Sequence, residues 1–517
     1  MAHPVRPGAS SLAKASVLAA VSALMVASCT VGPESGGGGN DASSQDLVVG
    51  VTADVDNLFP WTATQFQSID VLTQVYSSLT QFDAELEVVP SLAEEWEVSD
   101  DGLTYTFELR DDVTFSDGST FDSEDVVFSY ESIMDEETAA VSANSLASVD
   151  KVTAVDEDTV EITLSSPDAS LPSKLASTTM AILPSDADME ALQSVPIGTG
   201  AFIFKSRTPN ESLTLKSNPD FWGGAPELDT VEFRVIPDQS AIVAALQAGN
   251  IQFAVFDDPL MAETVGGDIE VTQTPQLSYH TLQMNASETP LDDVNVRLAI
   301  ACAIDRQEVL DTAAMGAGEI TGPFTSPAYR SDPDARPCPT KDVEKAKQHL
   351  ADAGYEDGLT LSAIVMQDSY ATAVAEAENI QSQLADIGIT MEIESLESGA
   401  YVDRWVAADF QLAIALNGGT PDPDAMYGRY FTSTGNLNEV AGYSSEKLDE
   451  LFVQGKAETD PEARKVIYEE ISRELEDNAP WVWLFTSYNY TAIAPEVKGF
   501  VPDASGSLKN FRNITIE

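Results

Sequence analysis

Basic residues are scarce in this sequence. Lys and Arg number 26 against 85 Asp and Glu, which gives the 517 residues a formal net charge of −59. Such an acidic surface repels nucleic acid and anionic lipid, so we expect neither as a partner. The charge indicates a surface that keeps molecules apart by repulsion, or alternatively an adaptation to high salt, in which carboxylates keep the surface hydrated.

Histidine is also scarce, and the usual catalytic motifs are missing. His3, His280 and His349 lie far apart, and the sequence contains no metalloprotease helix, Walker loop, Gly-x-Ser-x-Gly elbow or Cys-x-x-Cys pair. Carboxylates are too numerous for any one pair to stand out as an acid and a base. We therefore predict no enzymatic activity, no metal site and no cofactor.

No apolar run reaches the length of a stable membrane span. The run Ala15–Ala27 is too short, and it follows a basic leader that contains Arg6 and Lys14. It ends in Val-Ala-Ser before Cys29, a pattern that resembles a bacterial lipoprotein signal. The resemblance implies that residues 1–28 are a signal peptide and that the thiol of Cys29 carries lipid. The alternative is an ordinary secretory signal with an incidental cysteine.

If the protein is exported, residues 29–45 would link it to the membrane, and Cys302 and Cys338 could form a disulfide. Residues 29–45 include four successive glycines and are typical of a flexible tether. An exported location permits a disulfide between Cys302 and Cys338. Alternatively, Cys302 is a buried small hydrophobe, because it lies in an apolar helical run.

The clearest secondary-structure pattern lies between Pro90 and Tyr130. Apolar and polar residues alternate from Leu103 to Arg110, which predicts a half-buried strand. Asp117-Gly118 favours a turn, and Asp122 or Ser123 then caps a helix. Further along, a βαβ order over residues 359–394 suits an α/β lobe.

The order of these features resembles the peptide/nickel family, family 5, of extracytoplasmic solute-binding proteins of ABC importers. In that family a Pro-Ser-Leu-Ala-Glu-x-Trp segment, an Asp-Gly pair that leads into a Tyr-Thr-Phe-x-Leu-Arg strand, an Asp-Gly turn and an Asp-Val-Val-Phe-Ser helix follow one another, as they do in residues 90–129. Later segments are also similar to family motifs, namely the Gly-Thr-Gly turn at 198–200, residues 218–226, residues 290–306 and residues 344–355.

The resemblance implies an α/β fold of the two-lobed periplasmic-binding-protein type, in its large three-subdomain form with hinge closure. Residues 46–270 and 485–517 would form lobe I, with residues 83–189 as an extra subdomain. Residues 271–484 would form lobe II. The apolar run Trp481–Phe485 predicts a buried strand that returns the chain to lobe I.

The best candidate for a binding loop is Asn417–Tyr427, which follows an apolar strand and is rich in Gly, Pro and Asp. An acidic surface turn is the alternative. The resemblance implies that this loop lies at the lobe interface, and its candidate ligand contacts are Asn417, Gly419, Asp422, Asp424 and Tyr427. Peptide-binding family members hold the ligand's ammonium with an aspartate three residues before the Asp-Pro pair. Here Gly419 takes that position.

A second departure from the family concerns Asp368. Dipeptide-binding relatives have an arginine near this point that meets the ligand carboxylate. Both departures argue against a free dipeptide and favour a longer peptide held by backbone pairing, or a cationic or capped ligand near Asp368 and Asp422. Trp405 and Tyr427 are the preferred aromatic contacts, and the family resemblance directs the loop of Trp61 to the cleft. A place in the core is the alternative for each of these aromatic residues.

We therefore expect a substrate-binding lipoprotein that captures an oligopeptide or peptide-like ligand between its lobes and delivers it to an ABC permease, with ATP hydrolysed by separate subunits. It would be a monomer outside the bacterial cell membrane, anchored by lipid on Cys29. One alternative is a carrier of a metal chelate, haem, siderophore or sugar on the same fold. Another is a surface interaction or signalling protein that has lost transport.

Overall fold

The computed structural model of the protein describes residues 45–368 and 370–517. The predicted signal peptide, the lipid attachment at Cys29 and the tether up to residue 44 lie outside the described residues. These described residues belong to one compact unit. No helix within the described ranges is long and apolar enough to cross a membrane.

Strands and helices alternate irregularly along the described residues. The strands are β1 (Asp46–Val51), β2 (Thr80–Phe82), β3 (Val88–Pro90), β4 (Ala93–Val98), β5 (Thr104–Leu109), β6 (Val149–Ala154), β7 (Thr159–Leu164), β8 (Phe202–Thr208), β9 (Ser212–Ser217), β10 (Thr230–Val235), β11 (Phe253–Phe256), β12 (Glu270–Pro275), β13 (Tyr279–Met284), β14 (Gly318–Ile320), β15 (Leu359–Met366), β16 (Ile389–Leu396), β17 (Leu412–Asn417), β18 (Trp481–Trp483), β19 (Phe485–Ile493), β20 (Val497–Lys498) and β21 (Thr515–Ile516). The helices are α1 (Phe66–Val75), α2 (Ser123–Met134), α3 (Leu171–Leu175), α4 (Met189–Leu192), α5 (Gln239–Gln247), α6 (Pro259–Thr264), α7 (Val294–Ala303), α8 (Arg306–Ala314), α9 (Val343–Asp352), α10 (Ala373–Ala385), α11 (Ser398–Val406), α12 (Pro423–Phe431), α13 (Asn438–Ala441), α14 (Glu446–Ala457) and α15 (Pro461–Asn478).

The predicted strand and helix around residues 103–130 are confirmed. In β5 the side chains of Tyr105, Phe107 and Leu109 are buried, whereas the residues between them are half-buried or exposed. Asp122 caps α2 through a capping box in which its carboxylate accepts from the helix backbone and Asp125 bonds back to the cap. These features follow from local sequence because period-two burial and capping involve only neighbouring residues.

The first sheet has eight strands and forms the centre of lobe I. Its order is β12-β19-β11-β1-β10-β9-β8, and β14 pairs with β19. Strand β1 lies parallel to β10 and β11, so the carboxyl ends of these strands meet at one edge of the sheet. Leu47 and Val49 of β1 are buried in the core.

The second sheet has five strands and forms the centre of lobe II. Its order is β16-β15-β17-β13-β18, with β15 parallel to both β16 and β17. Strand β15, helix α10 and strand β16 form the predicted βαβ unit, and Leu361, Ala363 and Ile380 are fully buried within it. Parallel strands joined by a covering helix account for the apolar composition of this region.

The chain passes from the first sheet to the second after β12 and returns after β18, and between these points β14 also pairs with β19 of the first sheet. Strand β12 pairs with β19 in the first sheet, so the chain leaves that sheet at residues 276–278. The predicted strand Trp481–Phe485 is divided at Leu484, since β18 pairs with β13 in the second sheet and β19 begins at Phe485 and runs into the first. These crossings produce the two-lobed α/β fold.

A third, antiparallel sheet has the order β4-β5-β7-β6 and lies within residues 83–189, the predicted extra subdomain. In lobe II, a disulfide joins Cys302, the ninth residue of α7, to Cys338 in the loop before α9, with Cα atoms 5.1 Å apart. Both cysteines are buried.

Candidate ligand-binding cleft

A cleft of about 870 Å³ lies between the two lobes. Lobe I contributes Val51 and Thr52 at the carboxyl end of β1, and lobe II contributes the loop of residues 418–422 that follows β17. Open α/β sheets bind ligands beyond the carboxyl ends of their strands, and this cleft has that position. Its volume is within the range of about 300–1,000 Å³ typical of small-ligand sites.

Aromatic side chains of lobe I form part of the cleft wall. Phe66, the first residue of α1, is 84% exposed, although a large apolar side chain is normally covered. Phe221 and Trp222 also line the cleft, with ring centroids 4.9 Å apart. The indole N–H of Trp222 is buried and has no hydrogen-bond partner among the described residues. These three residues can pack against the apolar parts of a ligand.

Asp70 and three cations add charge to the cleft. Burial raises the pKa of Asp70 to about 7, the nearby Asp503 carboxylate adds to this effect, and a backbone hydrogen bond from Leu508 opposes it. Lys174 is bound to Asp168, with Nζ and Oδ2 2.6 Å apart. Lys509 donates to the backbone carbonyls of Phe82 and Asp83. The third cation, Arg512, has no carboxylate partner in the described parts of the chain.

Gly419 lines the cleft. It occupies the position at which the family resemblance leads us to expect an aspartate that binds the ligand's ammonium group. A Cβ atom at this residue would lie 1.9 Å from the carbonyl oxygen of Leu277. The backbone of the loop therefore packs directly on the crossing between the sheets. In this conformation there is no room for an aspartate side chain at this position.

Asp422 also lines the cleft, but its carboxylate is already paired. Arg464 of α15 binds it through both terminal nitrogens, at 2.7 Å and 3.2 Å, and both side chains are about 5% exposed. Although burial alone lowers the pKa of Arg464, the Asp422 carboxylate raises it above its ordinary value. Asp422 Oδ1 also accepts from the backbone N–H of Asp424 and caps α12.

The other candidate residues of the loop are buried behind the cleft. Asn417 bonds to Thr281 and Gln283 of β13. Asp424 lies 3.4 Å from Nζ of Lys456, and burial raises its pKa to about 6, with Asp422 and Asp168 adding to this and Lys456 opposing it. Tyr427 is fully buried and accepts from the indole N–H of Trp483 at 2.8 Å. None of these three residues lines the cleft.

The remaining candidates lie away from the cleft lining. Trp61 is fully buried in the core of lobe I, where its indole N–H donates to the Ala181 carbonyl at 2.9 Å. Trp405 is half-buried and donates to Gln283 at 2.6 Å. Asp368 is exposed and accepts from both the hydroxyl and the backbone N–H of Ser398 at the start of α11. The structure therefore places these three side chains outside the cleft lining, each with a hydrogen bond within the protein.

Asp368 and Asp422, the carboxylates near which a cationic or capped ligand is expected, both accept hydrogen bonds within the protein, from Ser398 and Arg464. Sequence reasoning also missed the cleft residues Phe66, Asp70 and Arg512. Phe221 and Trp222 were within reach of sequence analysis, since they belong to the family-like segment 218–226.

The cleft offers hydrogen-bonding and apolar surfaces and no metal-binding cluster. In residues 45–368 and 370–517, no group of three or more His, Cys, Asp or Glu side chains is arranged to hold a metal ion. A second cavity of about 320 Å³ opens between α6, β12 and β19, outside the lobe interface. The larger cleft is the better candidate because both lobes contribute to it.

Two lobes, each centred on its own sheet and facing one another across a cleft, define the class of two-lobed solute-binding proteins. Residues 87–438 match the family model of bacterial extracellular solute-binding proteins, family 5. The chain belongs to this family, whose members are substrate-binding proteins of ABC transporters.

Individual relatives resemble the chain over most of their length. The dipeptide-binding protein of Escherichia coli K12 is 30% identical, and the match covers 86% of this chain and 89% of that protein. Heme-binding protein A of Haemophilus influenzae is 28% identical, with 84% and 85% covered. The DppA periplasmic binding protein of Helicobacter pylori, solved with the peptide STSA, is 27% identical, with 91% and 98% covered and a TM-score of 0.70.

Proposed function

We propose that this protein binds a peptide in the cleft between its lobes and delivers it to the permease of an ABC importer. The observation that carries the proposal is the cleft of about 870 Å³, lined by aromatic groups of lobe I and by hydrogen-bonding groups of both lobes. The dipeptide-binding and STSA-bound relatives, similar over almost the whole chain, support a peptide as the ligand class. The protein itself would perform no chemistry on the ligand.

The absence of an ammonium anchor at residue 419 argues for peptides longer than two residues. An extended peptide is held mainly by hydrogen bonds to its backbone, which do not require a charged partner at its amino end. The loop of residues 418–422 and the segment 276–278 both reach the cleft and carry backbone groups for such pairing.

Thermal unfolding with a ligand panel tests the proposal, because a ligand that binds only the folded state raises the melting temperature. The protein would be residues 30–517, which include the whole compact unit. The panel contains di- to hexapeptides, haemin, glutathione, sugars and metal chelates. A shift with peptides of three or more residues supports the proposal. A shift with haemin alone would favour the second candidate, a haem carrier, which the similarity to heme-binding protein A suggests. No response to any solute would favour a surface interaction or signalling role.

We further propose that the mature protein is a monomer anchored to the outside of the cell membrane by lipid on Cys29. The small residues before this cysteine and the glycine-rich segment after it support an anchored, freely moving domain. In a lipid-labelling experiment, the full chain should carry label and the Cys29→Ser variant should not. Release of label-free wild-type protein into the medium would contradict the anchor.

A further inference from the structure

Among the cations that line the cleft, Arg512 differs from the others in its surroundings. The ammonium groups of Lys174 and Lys509 lie 2.6 Å and 3.7 Å from carboxylate oxygens of Asp168 and Asp503. No carboxylate in residues 45–368 or 370–517 lies within 4.0 Å of the Arg512 guanidinium. This is notable in a chain with 85 acidic residues, where most half-buried cations have acidic neighbours.

Arg512 is held in a fixed place by the segment around it. It belongs to the short 3₁₀ turn Lys509–Asn513. Phe511, the preceding residue, is fully buried, with its ring centroid 5.0 Å from that of Phe253. Asn510 donates to the carbonyl oxygen of Val501 at 2.9 Å. The backbone that carries Arg512 is therefore anchored to the core of lobe I.

The guanidinium has most of its hydrogen-bonding capacity free. An arginine has five N–H donors. Among the described residues, the guanidinium of Arg512 has one hydrogen bond, from Nη2 to the neutral oxygen Oε1 of Gln81, at a long distance of 3.4 Å. The guanidinium carbon lies 6.0 Å from the ring centroid of Phe221, which also lines the cleft. A planar ligand group could occupy the remaining donors.

The electrostatics also favour an anion at this place. Burial lowers the pKa of Arg512, and no nearby carboxylate offsets the cost of holding its charge away from water. Burial lowers the pKa of Lys509, Asp503 and Asp83 oppose this effect, and the charge of Arg512 adds to it, so two positive charges lie at this end of the cleft. A guanidinium binds a carboxylate through two parallel charge-assisted hydrogen bonds, a geometry that a lysine does not offer.

We propose that Arg512 binds the terminal carboxylate of the peptide ligand, with Phe221 against the adjoining residue of that peptide. This inference rests on the proposed function and names the group that orients the peptide. It assigns to lobe I a contact with the ligand carboxylate, which the aspartate at residue 368 cannot provide. Peptide side-chain carboxylates would compete for the same place, and blocked carboxyl ends would bind weakly.

The test measures affinity by calorimetry for each peptide that shifts the melting temperature in the panel. Each peptide is compared with the same peptide amidated at its carboxyl end, first on the wild-type protein of residues 30–517. We expect the carboxylate form to bind at least about tenfold more tightly, since amidation removes both charge-assisted bonds. The wild-type comparison requires no variant to fold.

The variant Arg512→Gln should bind both forms with the weak affinity of the amide. Arg512→Lys should recover part of the preference for the carboxylate form, because lysine keeps the positive charge but lacks the two parallel N–H donors of a guanidinium. Arg234→Gln is the matched control, since it removes one arginine of lobe I that pairs with Glu232 and lies outside the cleft lining. It should retain the wild-type preference.

Each result decides the inference. Equal affinity of the wild-type protein for the two forms, or a preference that persists in Arg512→Gln, would overturn the role of Arg512 and leave peptide binding intact. Failure of every peptide to bind the wild-type protein would overturn the proposed function together with the inference.

Discussion

Asp422 shows how a residue at the edge of a ligand cleft can serve the protein itself. Its carboxylate binds Arg464, whose guanidinium also donates to Tyr329 at 2.9 Å and lies 4.9 Å from the ring centroid of Tyr468. The pair thus joins the start of α12 to α15 and holds the cleft loop in place. An aspartate in a polar loop gives no sign of this role until its partner, 42 residues away, is known.

The variant Asp422→Asn should lower the free energy of unfolding by about 3–5 kcal/mol, because Arg464 would remain buried without a counter-charge. Asparagine keeps an oxygen that can cap α12, so the change isolates the charge. Urea unfolding measures the effect. The control Asp409→Asn removes an exposed partner of Arg404 and should cost at most about 1 kcal/mol. Equal effects of the two variants would contradict the role given to the buried pair.

Asp70 predicts a dependence of stability on pH. The folded-state pKa of about 7 lies above the ordinary 3.8, so folding favours the protonated carboxyl. The stability that Asp70 contributes is complete below about pH 4 and is lost as pH rises through about 7. Relative to wild type, Asp70→Asn should therefore gain stability between about pH 4 and pH 8. We expect about 2 kcal/mol at about pH 8, a value reduced for solvent screening because Asp70 is only half-buried.

Unfolding of both proteins at several pH values measures this difference. Asp257→Asn removes another carboxylate of the cleft, one that is exposed, and should change the profile less. If Asp70→Asn and wild type differed by the same amount at every pH, Asp70 would not titrate as its surroundings indicate.

At the scale of elements, the disulfide connects two parts of lobe II that are distant in sequence. Cys302 lies near the end of α7, and Cys338 lies in a loop 36 residues later. The backbone carbonyl of Cys302 also accepts from the N–H of Asp342, the residue that caps α9. The covalent link therefore positions α9 against α7.

Removing the disulfide with Cys302→Ser and Cys338→Ser together should lower the free energy of unfolding by about 3–4 kcal/mol, because closing a loop of this length restricts the unfolded chain. Denaturant unfolding with and without reductant measures the loss. Reductant should destabilise wild type and leave the double variant unchanged. Wild type that is equally stable in reductant would indicate that the link contributes little.

At the scale of the whole molecule, the two lobes are in contact as well as connected. The N–H of Ala169 donates to the carbonyl of Lys456 at 2.7 Å, and Lys465 lies 3.4 Å from a carboxylate oxygen of Glu87. Both contacts join a residue of lobe I to a residue of lobe II, and none of the four residues lines the cleft. If the lobes close around a ligand and reopen to release it, contacts between the lobes must form and break. We therefore expect these contacts to be few and polar.

The net charge of −59 should make stability depend on salt. Raising NaCl from about 0.05 M to about 1 M shortens the Debye length from more than about 10 Å to about 3 Å and screens repulsion among surface carboxylates. The melting temperature should rise by several degrees, measured at constant pH. Partial unfolding at the lower concentration would favour the high-salt adaptation, whereas full stability there would exclude it.

Much of the fold was predictable because it depends on residues close together in the sequence. The alternation in β5, the cap at Asp122 and the βαβ unit of residues 359–396 are local patterns, and the structure confirms them. The site was less predictable. The loop after β17 does reach the cleft, but of its candidate contacts only Gly419 and Asp422 line it.

The sequence by itself determined the fold class, the family and the acidic surface, because these follow from motifs, periodicity and composition. Only the tertiary structure decided which polar groups are free to meet a ligand. Asp422 forms an ion pair with Arg464, and Trp61 is buried in the core with a hydrogen bond to Ala181; both partners lie far along the chain. Arg512 lines the cleft because the carboxyl-terminal segment packs against α1 and the first sheet. Contacts of this kind depend on the path of the whole chain, which no local pattern encodes.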